Sequence, residues 1–138
     1  MTAPANNPHH KFVEDWEKKI PSNFSSDQKA ILMTRAIDCI THRARGTLSS
    51  VILKVILDRV LHQGKALFPF FSVITLDGEK FNFQVLLDNN IDSEELLKAL
   101  RHLLIELITV LGRITADILT PSLYKEVLKV KWNDLEDK

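Results

Sequence analysis

The stretch DSEELLKALRHLLIELITVLGRITADI, residues 92–118, decides the fold. Its large apolar side chains recur alternately every three and four residues, which is the spacing of a helix that packs along another helix. Asp92 is typical of a helix N-cap, and the stretch predicts one helix of about 27 residues, about 40 Å long. We expect its apolar seam to serve in self-association; the seam consists of Leu97, Leu100, Leu104, Leu107, Leu111, Ile114 and Ile118.

Two further helices are expected in the first half of the chain. Ser25, followed by Gln28 three residues later, has the spacing of a capping box and predicts a helix over residues 26–45. Gly46 then serves either as a left-handed cap or as a small residue inside a longer helix. A second helix is predicted over residues 48–62, and because it is apolar on two sides we expect it to be buried on two sides.

The ends of the chain are polar or broken by proline. Residues 1–11 are polar and predict a disordered tail, so the single domain is expected to span residues 12–138. A short amphipathic helix is predicted over residues 12–20, and the proline that follows ends it. Thr120 and Pro121 predict the start of the last helix, as its N-cap and its first helical residue.

Between the second helix and the long helix, the apolar pattern changes from helical to alternating, at about residues 69–87. Asp77-Gly78 separates the two alternating runs, and this dipeptide is the strongest short-range signal for a β-hairpin. A two-residue turn there pairs Ile74 with Phe81 and predicts one apolar face, made of Phe70, Ile74, Phe81, Phe83 and Val85. We expect this face to lie on the helices, to pair with a second copy, or to line a pocket for an apolar ligand.

The composition is ordinary for a soluble globular chain of 138 residues, with 45% apolar and 26% charged residues. Lys plus Arg and Asp plus Glu number 18 each, so no overall charge attracts the chain to nucleic acid or to an anionic membrane surface. The single cysteine, Cys39, is typical of a reducing compartment. We therefore predict a cytoplasmic protein that binds neither nucleic acid nor membranes.

These patterns together predict an α+β fold. We expect a mostly helical single domain of about four to five helices, one of them long, with one antiparallel β-hairpin. The domain is expected to associate as a dimer, because the apolar faces exceed what one small layer covers.

Patterns of known enzyme sites are missing from the sequence. Its four glycines do not form a phosphate-binding loop, and neither a nucleophile elbow nor metal-ligand spacing of His and Cys occurs. The sequence therefore predicts no metal and no cofactor, and it favours a protein that is not an enzyme.

One local pattern has chemical content. His42-Arg43-Ala44-Arg45-Gly46-Thr47 resembles the histidine-containing phosphotransfer motif, in which His is followed three residues later by Lys or Arg, then Gly, then Ser or Thr. The resemblance implies that His42 carries a phosphoryl group, that Arg45 balances its charge, and that Gly46 leaves the helix face open. The chain departs from that family in its hairpin and in Ile52, where glycine is frequent. The other interpretation is a cationic last helical turn before a glycine cap.

The functional prediction rests on an excess of apolar surface over what one small domain can bury. The long helix and the helix over residues 48–62 have wide apolar faces, and a lone hairpin leaves two open edges. We predict a non-enzymatic protein-interaction module that acts through self-association, as a regulatory or signalling component. Its partner is a second copy, with another protein as a further candidate. The alternatives are a histidine phosphotransfer protein that uses His42 and a small assembly or secretion chaperone that holds extended peptides.

Overall fold

The structure, a computed structural model, describes residues 7–132, which form six α-helices and one two-stranded antiparallel sheet. The helices are α1 (Pro8–Lys18), α2 (Ser26–Arg45), α3 (Ser50–Leu67), α4 (Gln84–Asp88), α5 (Ser93–Ile114) and α6 (Thr120–Leu128). A 3-10 helix (Pro69–Val73) and the strands β1 (Thr75–Leu76) and β2 (Phe81–Asn82) lie between α3 and α4. The predicted mostly helical fold with one small antiparallel sheet is confirmed. Residues 1–6 of the predicted tail and residues 133–138 of the predicted domain lie outside the described residues.

Helix α5 forms the centre of the fold. The side chain of its N-cap Asp92 accepts a hydrogen bond from the backbone N–H three residues later (3.1 Å), which confirms the predicted start. The helix ends at Ile114 and not at the predicted Ile118, because Ala116 and Asp117 adopt left-handed backbone angles (φ 52° and 64°). It is therefore 22 residues long, and α1, α2, α3 and α6 all contact it.

Helix α2 has the predicted range and packs along α5. The Gln28 backbone N–H donates to the Ser25 hydroxyl oxygen (3.2 Å), and the Ser25 backbone N–H donates to the Gln28 side chain (2.8 Å), so the capping box is confirmed. Gly46 ends the helix with a φ of −78°, a right-handed conformation that corrects the left-handed cap considered for it.

Helices α1 and α6 meet through aromatic side chains. Phe12 stacks on Tyr124, with 3.9 Å between the ring centroids. Residues 8–11, which were expected to belong to the tail, are the first turn of α1. Thr120 is the first residue of α6 and not its N-cap, and its hydroxyl donates to the carboxylate of Asp117 (2.9 Å).

Helix α3 is longer than predicted at its C-terminal end. The Ser49 hydroxyl caps its start, accepting from the backbone N–H three residues later (3.2 Å), and the helix continues to Leu67. Gly64 does not end the helix, because it is a packing position. A Cβ atom there would lie only 2.8 Å from Cδ2 of Phe71, which folds back against α3 from the 3-10 helix.

The hairpin forms with shorter strands than predicted. Residues 69–73 form the 3-10 helix and residues 84–88 form α4, so the predicted strands are wrong over these segments. The pairing also differs, since Phe81 lies opposite Leu76 and not opposite Ile74. Of the predicted ribbon, only the part next to the turn is a sheet.

The turn of the hairpin lies one residue further along the chain than predicted. The backbone N–H of Asp77 donates to the carbonyl of Lys80 (2.8 Å), which makes Gly78 and Glu79 the two central residues. Gly78 has a φ of 65°, which is the positive angle that hairpin turns need at their first central position. The observed register follows from this turn, because the position of the turn sets which residue of β1 lies opposite each residue of β2.

Candidate functional site

The predicted phosphoryl carrier, His42, lies exposed on the last turns of α2. It borders a cavity of about 210 Å³ that is lined by five residues with polar side chains: Asp38, Thr41, His42, Arg45 and Lys80. Lys80 comes from the hairpin and reaches this cavity from outside α2. The structure therefore brings together two of the predicted residues, His42 and Arg45, and adds Lys80 and Asp38, which the sequence pattern did not indicate.

Asp38 is the group in this cavity with an unmet hydrogen-bonding need. Its Oδ1 atom is buried and has no hydrogen-bond partner among the described residues. Burial raises the pKa of this carboxyl group, and the nearby Lys80 ammonium opposes the shift. Asp38 lies one helical turn before His42, so the two side chains share a face of α2.

Gly46 has no close-packing role, whereas the cations beside it contact other side chains. At Gly46, a Cβ atom would meet only ordinary contacts, the nearest being the Arg43 carbonyl oxygen at 3.5 Å, so close packing does not require glycine there. Arg43 turns away from His42 and donates to the hydroxyls of Thr47 (3.2 Å) and Ser122 (3.4 Å). Arg45 is exposed, and its Nε lies 4.0 Å from a Glu79 carboxylate oxygen.

The apolar seam of α5 lies inside the protein over most of its length. Five of the seven predicted members are buried against other helices of the same chain: Leu97, Leu100, Leu104, Leu107 and Leu111. Ile114 and Ile118 are exposed, and Ile118 lies beyond the end of α5. The five leucines are thus core residues of the single chain, and self-association through the seam stays a prediction.

The predicted apolar face of the hairpin is also mostly internal. Ile74, Phe81 and Phe83 are buried, and Phe70 is half-buried and packs on the core. Val85 is exposed, because it belongs to α4 and not to a strand of the hairpin. Burial of these members leaves Phe70 as the one partly exposed phenylalanine of the predicted face, so this face gives little support to the chaperone alternative.

Exposed apolar side chains cluster instead on the outer side of α3. Val51, Ile52 and Val55 are 72%, 48% and 62% exposed, while Leu53 and Leu57 on the opposite side are buried. We call these three residues the α3 patch. The sequence pattern indicated two apolar sides of this helix, but it did not indicate that only one of them would be covered.

Two further features of residues 7–132 bear on function. No three His, Cys, Asp or Glu side chains in this range lie close enough together to hold a metal ion. The helices in this range are all too short or too polar to cross a membrane.

Comparison with known proteins adds no assignment to these observations. The chain matches no protein-family model, none of the curated proteins and no solved structure.

Proposed function

We propose that this chain is a non-enzymatic protein-interaction module that self-associates through the outer face of α3, in a regulatory or signalling role. The observation that carries the proposal is the exposure of the α3 patch. Val51, Ile52 and Val55 adjoin one another on one helix face, and contiguous apolar surface on a soluble domain marks an interaction site. The predicted function is kept, but its location moves from α5 to α3.

The charges around the α3 patch favour a second copy as the occupant. Lys54, Asp58 and Arg59 are exposed beside Val55 and carry both signs. In an antiparallel pair about a two-fold axis beside Val55, residues before Val55 in one copy lie opposite residues after Val55 in the other. Lys54 then comes within reach of the partner's Asp58, and symmetry forms this ion pair twice. A chain of zero net charge adds no long-range repulsion between the copies.

The oligomeric state in solution tests the proposal. Light scattering coupled to size-exclusion chromatography is expected to give a mass above the 15.8 kDa of one chain as the concentration rises. The double substitution Val51→Glu/Val55→Glu places charges in the contact and is expected to return the mass to that of one chain. Leu128→Glu is the matched control, since Leu128 is 51% exposed but belongs to α6 and not to α3.

A charge exchange tests the arrangement of the two copies. Lys54→Glu places two carboxylates opposite each other and is expected to weaken association, whereas Lys54→Glu/Asp58→Lys restores opposite charges and is expected to recover it. A wild-type protein that stays at the mass of one chain at high concentration refutes the proposal. The two-fold arrangement is refuted if Lys54→Glu leaves association unchanged, or if Lys54→Glu/Asp58→Lys does not recover it.

A second candidate function, phosphoryl transfer through His42, is favoured by the polar cavity. His42 is exposed to a donor, and the cations of Arg45 and Lys80 line the same cavity, where they suit a phosphoryl group. In such a step a nitrogen of the neutral imidazole attacks the phosphorus of an acyl phosphate, the phosphorus–oxygen bond to the carbonyl breaks, and a carboxylate leaves.

Labelling with a small acyl phosphate tests this candidate. An acid-labile phosphohistidine is expected on the wild-type chain and is expected to be lost in His42→Gln. His62→Gln serves as the control, because His62 is also an exposed helical histidine but does not line this cavity. Failure to label the wild type, or equal labelling of His42→Gln, eliminates the candidate.

A further inference from the structure

A second cleft is formed by the N-cap and first turn of α1, by residues 98–106 of α5 and by Phe68, the C-cap residue of α3. Its volume is about 420 Å³, which lies in the range of pockets that hold small organic molecules. Its lining includes Phe68, Lys98, Arg101, His102, Ile105 and Glu106. None of them belongs to the α3 patch or to the His42 cavity.

The floor of the cleft is apolar. Phe68 and Ile105 are only 8% and 9% exposed, so they present edges of the core to the cleft. The Phe68 ring lies 5.7 Å from the His102 imidazole, centroid to centroid, at an angle of 55°. An apolar or aromatic body therefore finds a ready-made surface between these rings and Ile105.

One end of the cleft is preorganised by the ion pair of Arg101 and Glu17, and the carboxylates of Glu14 and Glu94 also lie close enough to act on Arg101. The Nε and Nη2 atoms of Arg101 donate to the two carboxylate oxygens of Glu17 (2.6 and 2.8 Å), which fixes the plane of the guanidinium group. Its Nη1 atom has no acceptor among the described residues. Lys98 lies one turn before Arg101 on α5, is exposed, and also lines the cleft. A carboxylate placed here meets donors from both side chains.

The cleft is polarised along its length. Glu106 lies two helical turns beyond Lys98, about 12 Å along the axis of α5. His102 lies between them, one turn from each. A carboxylate finds N–H donors of Lys98 and Arg101 at one end and only the like charge of Glu106 at the other. The donors, and not a net positive charge, therefore orient a ligand with a single carboxylate.

We propose that this cleft binds a small organic carboxylate with an apolar or aromatic body. The carboxylate accepts hydrogen bonds from Nη1 of Arg101 and from the Lys98 ammonium, and the body lies on Phe68 and Ile105 beside His102. The site is independent of self-association, because its lining does not include α3 residues other than the cap residue Phe68.

Binding of 1-naphthoate to the full chain, measured by calorimetry and by NMR titration, tests the proposal. We expect saturable binding with one site per chain and shifted resonances of His102 and Ile105. The neutral analogue 1-naphthalenemethanol is expected to bind about tenfold more weakly or worse, because it cannot accept charge-assisted hydrogen bonds. Lys98→Glu is expected to weaken naphthoate binding by at least about tenfold, since it places a like charge at the carboxylate end.

Lys125→Glu is the matched control, because Lys125 is an exposed lysine on α6 that does not line the cleft. Lys98 is exposed and forms no ion pair among the described residues, so its substitution is expected to leave the fold intact, which circular dichroism checks. The proposal is overturned by the absence of saturable binding, by equal affinity for the neutral alcohol, or by equal loss of affinity in Lys98→Glu and Lys125→Glu. Resonance shifts centred on the α3 patch in place of His102 and Ile105 likewise overturn it.

Discussion

Replacing Leu104 by alanine distinguishes a core seam from an association seam. Leu104 is 0% exposed and lies in the middle of α5. At about 0.8 kcal/mol for each buried carbon removed, the transfer contribution alone is about 2.4 kcal/mol. The cavity left behind adds about 24 cal/mol per Å³. We expect the free energy of unfolding to fall by about 3–4 kcal/mol, a large part of the about 5–15 kcal/mol typical of a domain.

Urea unfolding followed by circular dichroism measures this loss, and light scattering on the same samples measures the mass. The expected result for Leu104→Ala is a lower unfolding midpoint with an unchanged oligomeric state. The expected result for Val51→Glu/Val55→Glu is the opposite: a lower mass at high concentration, with little loss of stability at dilution. A Leu104→Ala variant that loses less than about 1 kcal/mol and falls to the mass of one chain would show that the seam is an interface after all.

Three further substitutions test local features of the fold. Ser25→Ala removes the capping box of α2 and is expected to cost about 1 kcal/mol in urea unfolding. Gly64→Ala gains helix propensity, but the new Cβ atom would lie 2.8 Å from Phe71, so we expect a net loss of stability of about 1–2 kcal/mol. Gly46→Ala is its control: the nearest contact of the new Cβ atom is at 3.5 Å, and stability is expected to change little. Burial lowers the pKa of His9 from its usual 6.5, so the unfolded chain binds the proton at a higher pH than the folded chain does. The contribution of His9 to stability is therefore expected to be full above about pH 6.5 and to fall as the pH drops below that value. His9→Gln is expected to flatten this part of the curve of unfolding midpoint against pH.

The elements that sequence reasoning predicted well are those whose signals act within a few residues. The capping box of Ser25 and Gln28 and the N-cap Asp92 satisfy backbone groups in the first turn of their own helices, so their effect is visible locally. The end of α3 was missed because Gly64, which usually signals a helix end, is explained by a contact with Phe71. That contact exists only once the 3-10 helix has folded back.

The hairpin shows why a correct turn signal still leaves the register open. Both Asp77-Gly78 and Gly78-Glu79 place Gly78 in the turn, and only Gly78 needs a positive φ in the structure. The two turns differ in which residue faces Phe81, and that choice depends on packing against the helices, not on the dipeptide. The sequence likewise predicted only the α2 residues of the cavity at His42, because Lys80 reaches the cavity from the hairpin.

The apolar stripe of α5 carries the more general lesson about interfaces. A repeat of three and four residues states that one side of a helix is covered, but not by which partner. Here four helices of the same chain contact α5, and additional buried side chains such as Leu96, Leu103 and Ile108 widen the stripe as expected for a central helix. The apolar surface that the chain itself leaves exposed therefore lies on α3, where one of the two apolar sides of the helix is uncovered. An association face can be identified only when the apolar residues buried within the chain are known, and these residues are known only from the tertiary contacts.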